Sequence, residues 1–183
     1  ADARDLLIAS VLCASPVLFI DDRWLYDLED DLPPIIEREL SLERPLCLTK
    51  GTDLTIVASG YSTRLALNAA KELDSQGIYA EVIDLRVLNP FYPELIVASV
   101  SKTGRLLVID GGWSTCGMAG EVIASVAERI PVGILKKPPL RVTLPNAPAP
   151  TALVLEKTYY PSTELVVDRA KELLKGMYVE KIA

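Results

Sequence analysis

The residues best able to do chemistry in this chain cluster in one glycine-rich stretch, Asp110-Gly111-Gly112-Trp113-Ser114-Thr115-Cys116-Gly117. A strand, then glycines, then a helix start is how phosphate sites are built, because the first N–H groups of a helix lack partners of their own. Here, however, Met118-Ala119 follows, not Lys-Ser or Lys-Thr, so the stretch is not a P-loop. It lacks the GxGxxG spacing, and it follows the third expected strand of its domain instead of the first. Gly117-Met118-Ala119-Gly120 suits close packing of a helix start against another backbone. Packing or an interface is the preferred reading, and anion binding is the alternative.

Two further features each carry a functional and a structural reading. Cys116 sits just before an expected helix N-terminus, where a thiolate is stabilised. With no histidine in the chain and no second cysteine nearby, an inert thiol is the better expectation. Asp84-Leu85-Arg86 ends an expected strand, where open α/β sheets place ligands. A structural ion pair or a helix-cap contact is the preferred reading there. The three cysteines, Cys13, Cys47 and Cys116, form no CxxC pair. That argues against a zinc site or disulfide framework and for a reducing compartment, the cytoplasm or the mitochondrial matrix. Without histidine the commonest neutral-pH base and metal ligand are gone, which disfavours a complete hydrolase or metalloenzyme. A formal net charge of −6 disfavours nucleic acid and anionic membrane as partners.

The elements around these residues follow from hydrophobic period. Leu54–Ala58 is a short apolar run after Gly51 and predicts a buried strand. Ser62–Gln76 has Leu65, Ala69 and Leu73 at helical spacing, with Gly77 where a left-handed C-cap belongs. Tyr79–Leu85 predicts a strand broken by Asn89-Pro90. Pro93 then opens a helix to about Ser101. Arg105–Ile109 predicts a third strand, followed by the glycine-rich loop and a helix from Met118 to Arg129. Arg141–Thr143 predicts a short strand, and Ser162–Leu174 a final helix. Regular alternation of this kind means a three-layer α/β fold, a mostly parallel sheet with helices on both faces.

The beginning of the chain reads differently. Asp2–Cys13 predicts a helix, Ser15-Pro16 a turn and Val17–Ile20 a buried strand. The apolar run Leu6–Ile20 is too short to span a bilayer, and Asp2 and Asp5 spoil a positively charged leader. From Asp21 to Asp31 there are six acidic residues against Arg23 alone. This strip reads as a solvated linker, or alternatively as a docking surface for a basic partner. Pro33-Pro34 and Pro45 extend the linker character. The expected organisation is therefore a helix-strand remnant of a preceding domain over residues 1–22, a linker over 23–52, and an α/β domain over 53–183.

Taken together, these segments resemble the transketolase-like superfamily, and within it the C-terminal domain of 2-oxoacid dehydrogenase β subunits (pyruvate, branched-chain and acetoin types). The matching pieces are Gly51-Thr-Asp-Leu-Thr-Ile-Val57, Ala80-Glu-Val-Ile-Asp-Leu-Arg86 with Asn89-Pro90, and Lys102-Thr-Gly-Arg-Leu106. Gly111-Gly-Trp113, Gly117 and Glu121 follow, then Arg141-Val-Thr143 with Pro148 and Pro150, Leu155-Glu156 and Tyr160-Pro161. The Pro16-Val17 stretch and Tyr26 resemble the exit of that family's pyrimidine-binding domain. The start at Ala1, inside a helix of a domain the chain does not complete, points to a fragment; removal of an initiator Met is the alternative.

The resemblance implies a parent enzyme that oxidatively decarboxylates a 2-oxoacid with thiamine diphosphate and magnesium. It also implies that the cofactor-activating glutamate, the active-site histidine and the diphosphate and magnesium ligands lie outside this chain. No catalytic, cofactor-binding or metal residue is carried over. The implied role is assembly: a homodimer, contact with an α-type subunit or domain and, in the pyruvate enzymes, with the dihydrolipoyl acyltransferase core. Gly111, Gly112, Trp113, Gly117, Gly120 and Glu121 are the expected interface residues. Two alternatives stay open, the equivalent domain of a transketolase or deoxyxylulose phosphate synthase, and a free-standing protein-binding module.

Overall fold

A computed structural model describes residues 2–29 and 31–175. The chain divides into two compact units, Ala1–Arg44 and Pro45–Ala183.

The second unit is built on a five-stranded sheet in the order β1-β3-β2-β4-β5. Its strands are β1 (Leu46–Thr49), β2 (Leu54–Ala58), β3 (Ala80–Asp84), β4 (Leu106–Trp113) and β5 (Leu140–Leu144). Strands β3, β2, β4 and β5 are parallel, and β1 joins β3 antiparallel at one edge. The central strands are buried on both faces and alternate between two cores. Leu54, Ile56 and Ala58 of β2 face helices α2 (Tyr61–Asp74) and α6 (Thr163–Leu174), with Leu65, Ala69, Leu73, Val166 and Leu173. Val57, Ile83, Val108 and Leu106 face α3 (Glu94–Thr103) and α4 (Met118–Ala127), with Ile96, Val100, Val122 and Val126. The three-layer α/β expectation is thus met. Each strand carries two sets of apolar residues because its side chains alternate with period two.

Several polar groups inside this frame are paired, while Thr63 Oγ1 on α2 is buried without a hydrogen-bond partner. Thr55 Oγ1, facing α3, lies 2.7 Å from Ser99 Oγ and 2.8 Å from Thr103 Oγ1. Glu81 accepts a charged hydrogen bond from Lys102 on α3. Burial works against ionisation of Glu81, but its bonds from Lys102, Ser99 and the Gly51 amide outweigh that and hold its carboxyl below the usual range. Burial, then Glu81, pushes the Cys47 thiol up. Gly77 has φ of +75°, ending α2 as its position predicts, and Gly104, with φ of +70°, is the left-handed C-cap of α3.

Three expectations are corrected within this unit. Leu46–Thr49, placed in the linker by its surrounding prolines, is an edge strand, because Leu46 pairs with Asp84 and Cys47 with Ile83. The expected loop after Ile109 begins later, since β4 continues through Gly111 and Gly112 to Trp113, which pairs with Leu144 across a register shift. A helix, α5 (Leu153–Tyr159), lies in a stretch for which no element was predicted. Only one of its residues, Tyr159, is buried, so it shows little of the core-facing period on which helix prediction rests.

The first unit contains α1 (Asp2–Leu12), a 3-10 turn over Arg23–Leu25 and another over Leu40–Leu42. Val17–Ile20, expected as a buried strand, forms no strand, and Leu18 and Ile20 are 86% and 74% exposed. A strand is defined by its ladder, and no partner for this one lies among the described residues. No helix of the described residues is long and apolar enough to cross a membrane.

Candidate functional site

The site is assembled at the C-terminal edge of the parallel sheet, where strand order reverses between β2 and β4. In open α/β sheets this edge is the usual place for function. Here it is organised by one carboxylate. Asp110, 6% exposed at the end of the buried part of β4, accepts from the Gly112 amide at 2.8 Å through Oδ1. Its Oδ2 accepts from the Ala119 amide at 2.9 Å, in the first turn of α4. The negative charge therefore occupies the α4 N-terminus, satisfying a free N–H and complementing the helix dipole. The anion that the alternative reading would bring from outside is supplied by the chain itself.

Gly117 explains its own type. A Cβ there would lie 2.2 Å from the Trp113 carbonyl oxygen and 2.7 Å from Asp110 Oδ2. The glycine lets the loop fold back onto itself. Gly120 is different, since a Cβ there meets nothing within 4 Å. At Gly111 an added Cβ would meet only Ser62 Oγ, at 3.8 Å. Trp113 is 51% exposed and Glu121 is exposed. The structure thus brings all six expected interface residues to one edge, but it separates internal Gly117 from open Gly120.

The loop is tied to β5 and to the segment after it. Arg141 donates to the Ser114 carbonyl at 2.8 Å. Asn146 accepts from the Thr115 amide and donates to Thr115 Oγ1 at 2.7 Å. Trp113 Nε1 donates to the Tyr159 hydroxyl at 3.4 Å, which itself donates to the Ala147 carbonyl at 2.6 Å. Tyr159 thereby joins α5 to the loop, and α5 presents Leu153, Val154 and Leu155, which are 69%, 78% and 55% exposed. Sequence reasoning assigned no role to Asp110, Asn146 or Tyr159. An Asp two residues before a glycine and shortly before a helix start was the available signal for the first; the other two had none.

The other candidates resolve into structure. Cys116 is exposed, with φ of +58°, and precedes the α4 N-cap Gly117. Asp84 Oδ1 accepts from the Arg86 amide at 3.1 Å, which stabilises the turn where Arg86 takes φ of +60°. Among the described residues, no group of three or more His, Cys, Asp or Glu could hold a metal ion.

Fold and site together define a doubly wound α/β domain whose conspicuous surface is an aromatic- and glycine-bearing loop supported from within, not a cleft of convergent ionisable groups. The chain belongs to the transketolase C-terminal domain family, whose model matches residues 46–166. It is 34% identical over 179 residues to the β subunit of acetoin:2,6-dichlorophenolindophenol oxidoreductase of Bacillus subtilis, covering 94% of this chain and 50% of that one. It is 34% identical over 174 residues to the β subunit of the pyruvate dehydrogenase E1 component of the same organism, covering 95% and 53%. Among solved structures, a split-gene transketolase in the form of an inactive β4 tetramer superposes with a TM-score of 0.65 at 29% identity, over 80% of this chain and 46% of that one. The chain spans about half the length of these relatives.

Proposed function

We propose that this chain serves as the C-terminal assembly domain of the β-type subunit of a thiamine-diphosphate-dependent 2-oxoacid dehydrogenase, with no catalytic group of its own. The carrying observation is the identity to dehydrogenase β subunits across 94–95% of the chain, joined to the family match over the second unit. In this reading the longer parent decarboxylates a 2-oxoacid, with thiamine diphosphate and magnesium held by the preceding domain and by an α-type subunit or domain. Residues 1–22 are the end of that preceding domain, and the chain from there to Arg44 is the connection. The three free cysteines suit a reducing compartment, the cytoplasm or the mitochondrial matrix.

The proposed interface contains Gly111, Gly112, Trp113, Gly117, Gly120 and Glu121. It faces a second copy of the chain, with the α-type part and a dihydrolipoyl acyltransferase as further partners of the assembly. Gly120 supports this reading. It sits in a helix, where glycine is unfavourable by about 1 kcal/mol relative to alanine, yet nothing within its own unit needs the space. Gly120→Trp tests this, because a Cβ added there meets nothing within 4 Å in the free unit while a large side chain obstructs a partner. The expected result in sedimentation is a dimer for the unaltered chain and a monomer for the variant, both folded. A strictly monomeric unaltered chain, or a dimer indifferent to Gly120→Trp, overturns the interface.

A sibling reading, the same domain in a split transketolase, has the 29%-identical solved structure in its favour. Assay of the longer parent with 2-oxoacids against ketose phosphates separates the two.

A further inference from the structure

The end of β4 presents a different residue to each face of the sheet. Ile109 belongs to the α2–α6 core and Val108 to the α3–α4 core, so period two puts Asp110 on the α4 face and Gly111 on the α2 face. On the first face Asp110 Oδ2 fills the α4 N-terminus. On the second no side chain intervenes. A Cβ built on Gly111 would meet only Ser62 Oγ, at 3.8 Å, and one on Gly60, the α2 N-cap, would meet nothing within 4 Å. The first turn of α2, Tyr61-Ser62-Thr63-Arg64, contains no acidic residue, and its one charge is Arg64, a cation at the positive end of the helix dipole. Ser62 and Thr63 are each 7% exposed. They precede Leu65, Ala66, Ala69 and Ala70 on the buried face of α2, and helix side chains lean toward the N-terminus, so both hydroxyls are directed toward the strand ends. Thr63 Oγ1 has no hydrogen-bond partner. A buried hydroxyl left unpaired is unfavourable, which marks this turn as shaped by more than core packing.

We propose that the N-terminus of α2, between Gly60 and Gly111, binds a phosphate-type oxyanion. The Thr63 amide is engaged by the Gly60 carbonyl at 3.1 Å. The amides ahead of it have no carbonyl of their own helix to bond, and they donate to the anion together with the Ser62 hydroxyl. The anion also gives the unpaired Thr63 hydroxyl an acceptor in the same turn, and it relieves the opposition between Arg64 and the helix dipole. The glycines at 60 and 111 leave room for it. Asp84, on the same face at the end of β3, serves its own turn by accepting from the Arg86 amide at 3.1 Å. The site lies where strand order reverses between β2 and β4, the position at which open α/β sheets hold ligands. It asks nothing of a second copy of the chain.

Amide NMR of the full chain, titrated with inorganic phosphate against sodium chloride of equal ionic strength, tests this. Saturable shifts centred on residues 60–64 and 111 are expected. Ser62→Ala removes one hydrogen bond to a charged group and should weaken binding about tenfold. Gly111→Asp places a carboxylate on the α2 face, as Asp110 does on the α4 face, and should abolish binding. The rest of the spectrum shows that both variants stay folded. A parallel titration with glycerol 3-phosphate separates two sources of the same chemistry. Tighter binding of the monoester assigns the site to a phosphoryl group on an organic ligand, and tighter binding of inorganic phosphate assigns it to the free ion. Shifts in the unaltered chain that do not saturate, or that spread over its surface lysines, overturn the proposal. So does binding that persists undiminished in folded Ser62→Ala and Gly111→Asp.

Discussion

Asp110 Oδ2 and the Ala119 amide meet at 2.9 Å, so the last buried residue of β4 caps the helix that begins eight residues later. The contact crosses the whole loop and determines its shape. Asp110→Ala should destabilise the second unit by about 1–3 kcal/mol, since it leaves a buried N–H without a partner and removes charge from a helix N-terminus. Asp110→Asn should cost less, because an amide oxygen can still accept. Urea unfolding followed by Trp113 fluorescence measures both; equal costs would show that an uncharged acceptor contributes nothing at this position.

The two glycines of the loop should respond in opposite directions. Gly117→Ala drives a Cβ into the Trp113 carbonyl and should cost about 3 kcal/mol or more. Gly120→Ala meets open space inside a helix and should stabilise the isolated unit by about 0.5–1 kcal/mol. Thermal melts of the pair check this, and similar losses at both positions would contradict the geometry.

Glu81 and Lys102 link stability to pH. The folded carboxyl titrates below its ordinary value of 4.5, so its contribution is fully present above that value and is lost as pH falls through the lower folded value. Lys102→Met should remove about 1–2 kcal/mol near neutral pH, a modest figure because the Lys102 side chain is 45% exposed. The variant and the unaltered chain should converge in stability once pH falls below the lowered folded value of Glu81. Urea titrations between neutral and acid pH show whether the gap closes.

Removing residues 1–44 should leave the second unit folded. Every residue of its two apolar cores lies at or beyond Leu54, and edge strand β1 begins at Leu46. Circular dichroism and a single cooperative melt of residues 45–183 are expected; a chain that fails to fold would place part of the first unit in the core. Light scattering should also show less self-association, because the exposed Val17–Ile20 run is gone.

Most of the second unit was legible before its structure. Leu54–Ala58, the Leu65/Ala69/Leu73 helix and the Gly77 stop are local signals, set by period and by backbone freedom. What decided β1 was not local. Prolines at 33, 34 and 45 spoke for a linker, and only the free edge of β3 turned Leu46–Thr49 into a strand. Val17–Ile20 shows the converse, an apolar run with strand character and no strand to pair with among the described residues.

The same division holds at the candidate site. The residue types at Gly111, Gly112, Trp113, Gly117 and Gly120 marked the loop from sequence alone, since a run of glycines around a tryptophan has few uses other than close approach. Sequence could not say which glycine serves the fold and which leaves open surface. That depends on what stands opposite each Cβ, the Trp113 carbonyl at Gly117 and nothing at Gly120. Nor could it place Asp110, Asn146 and Tyr159 in one network, because their partners lie 9, 31 and 46 residues away along the chain. Period and turn chemistry act over a few residues, whereas a hydrogen bond between distant segments exists only once the sheet has brought their ends together.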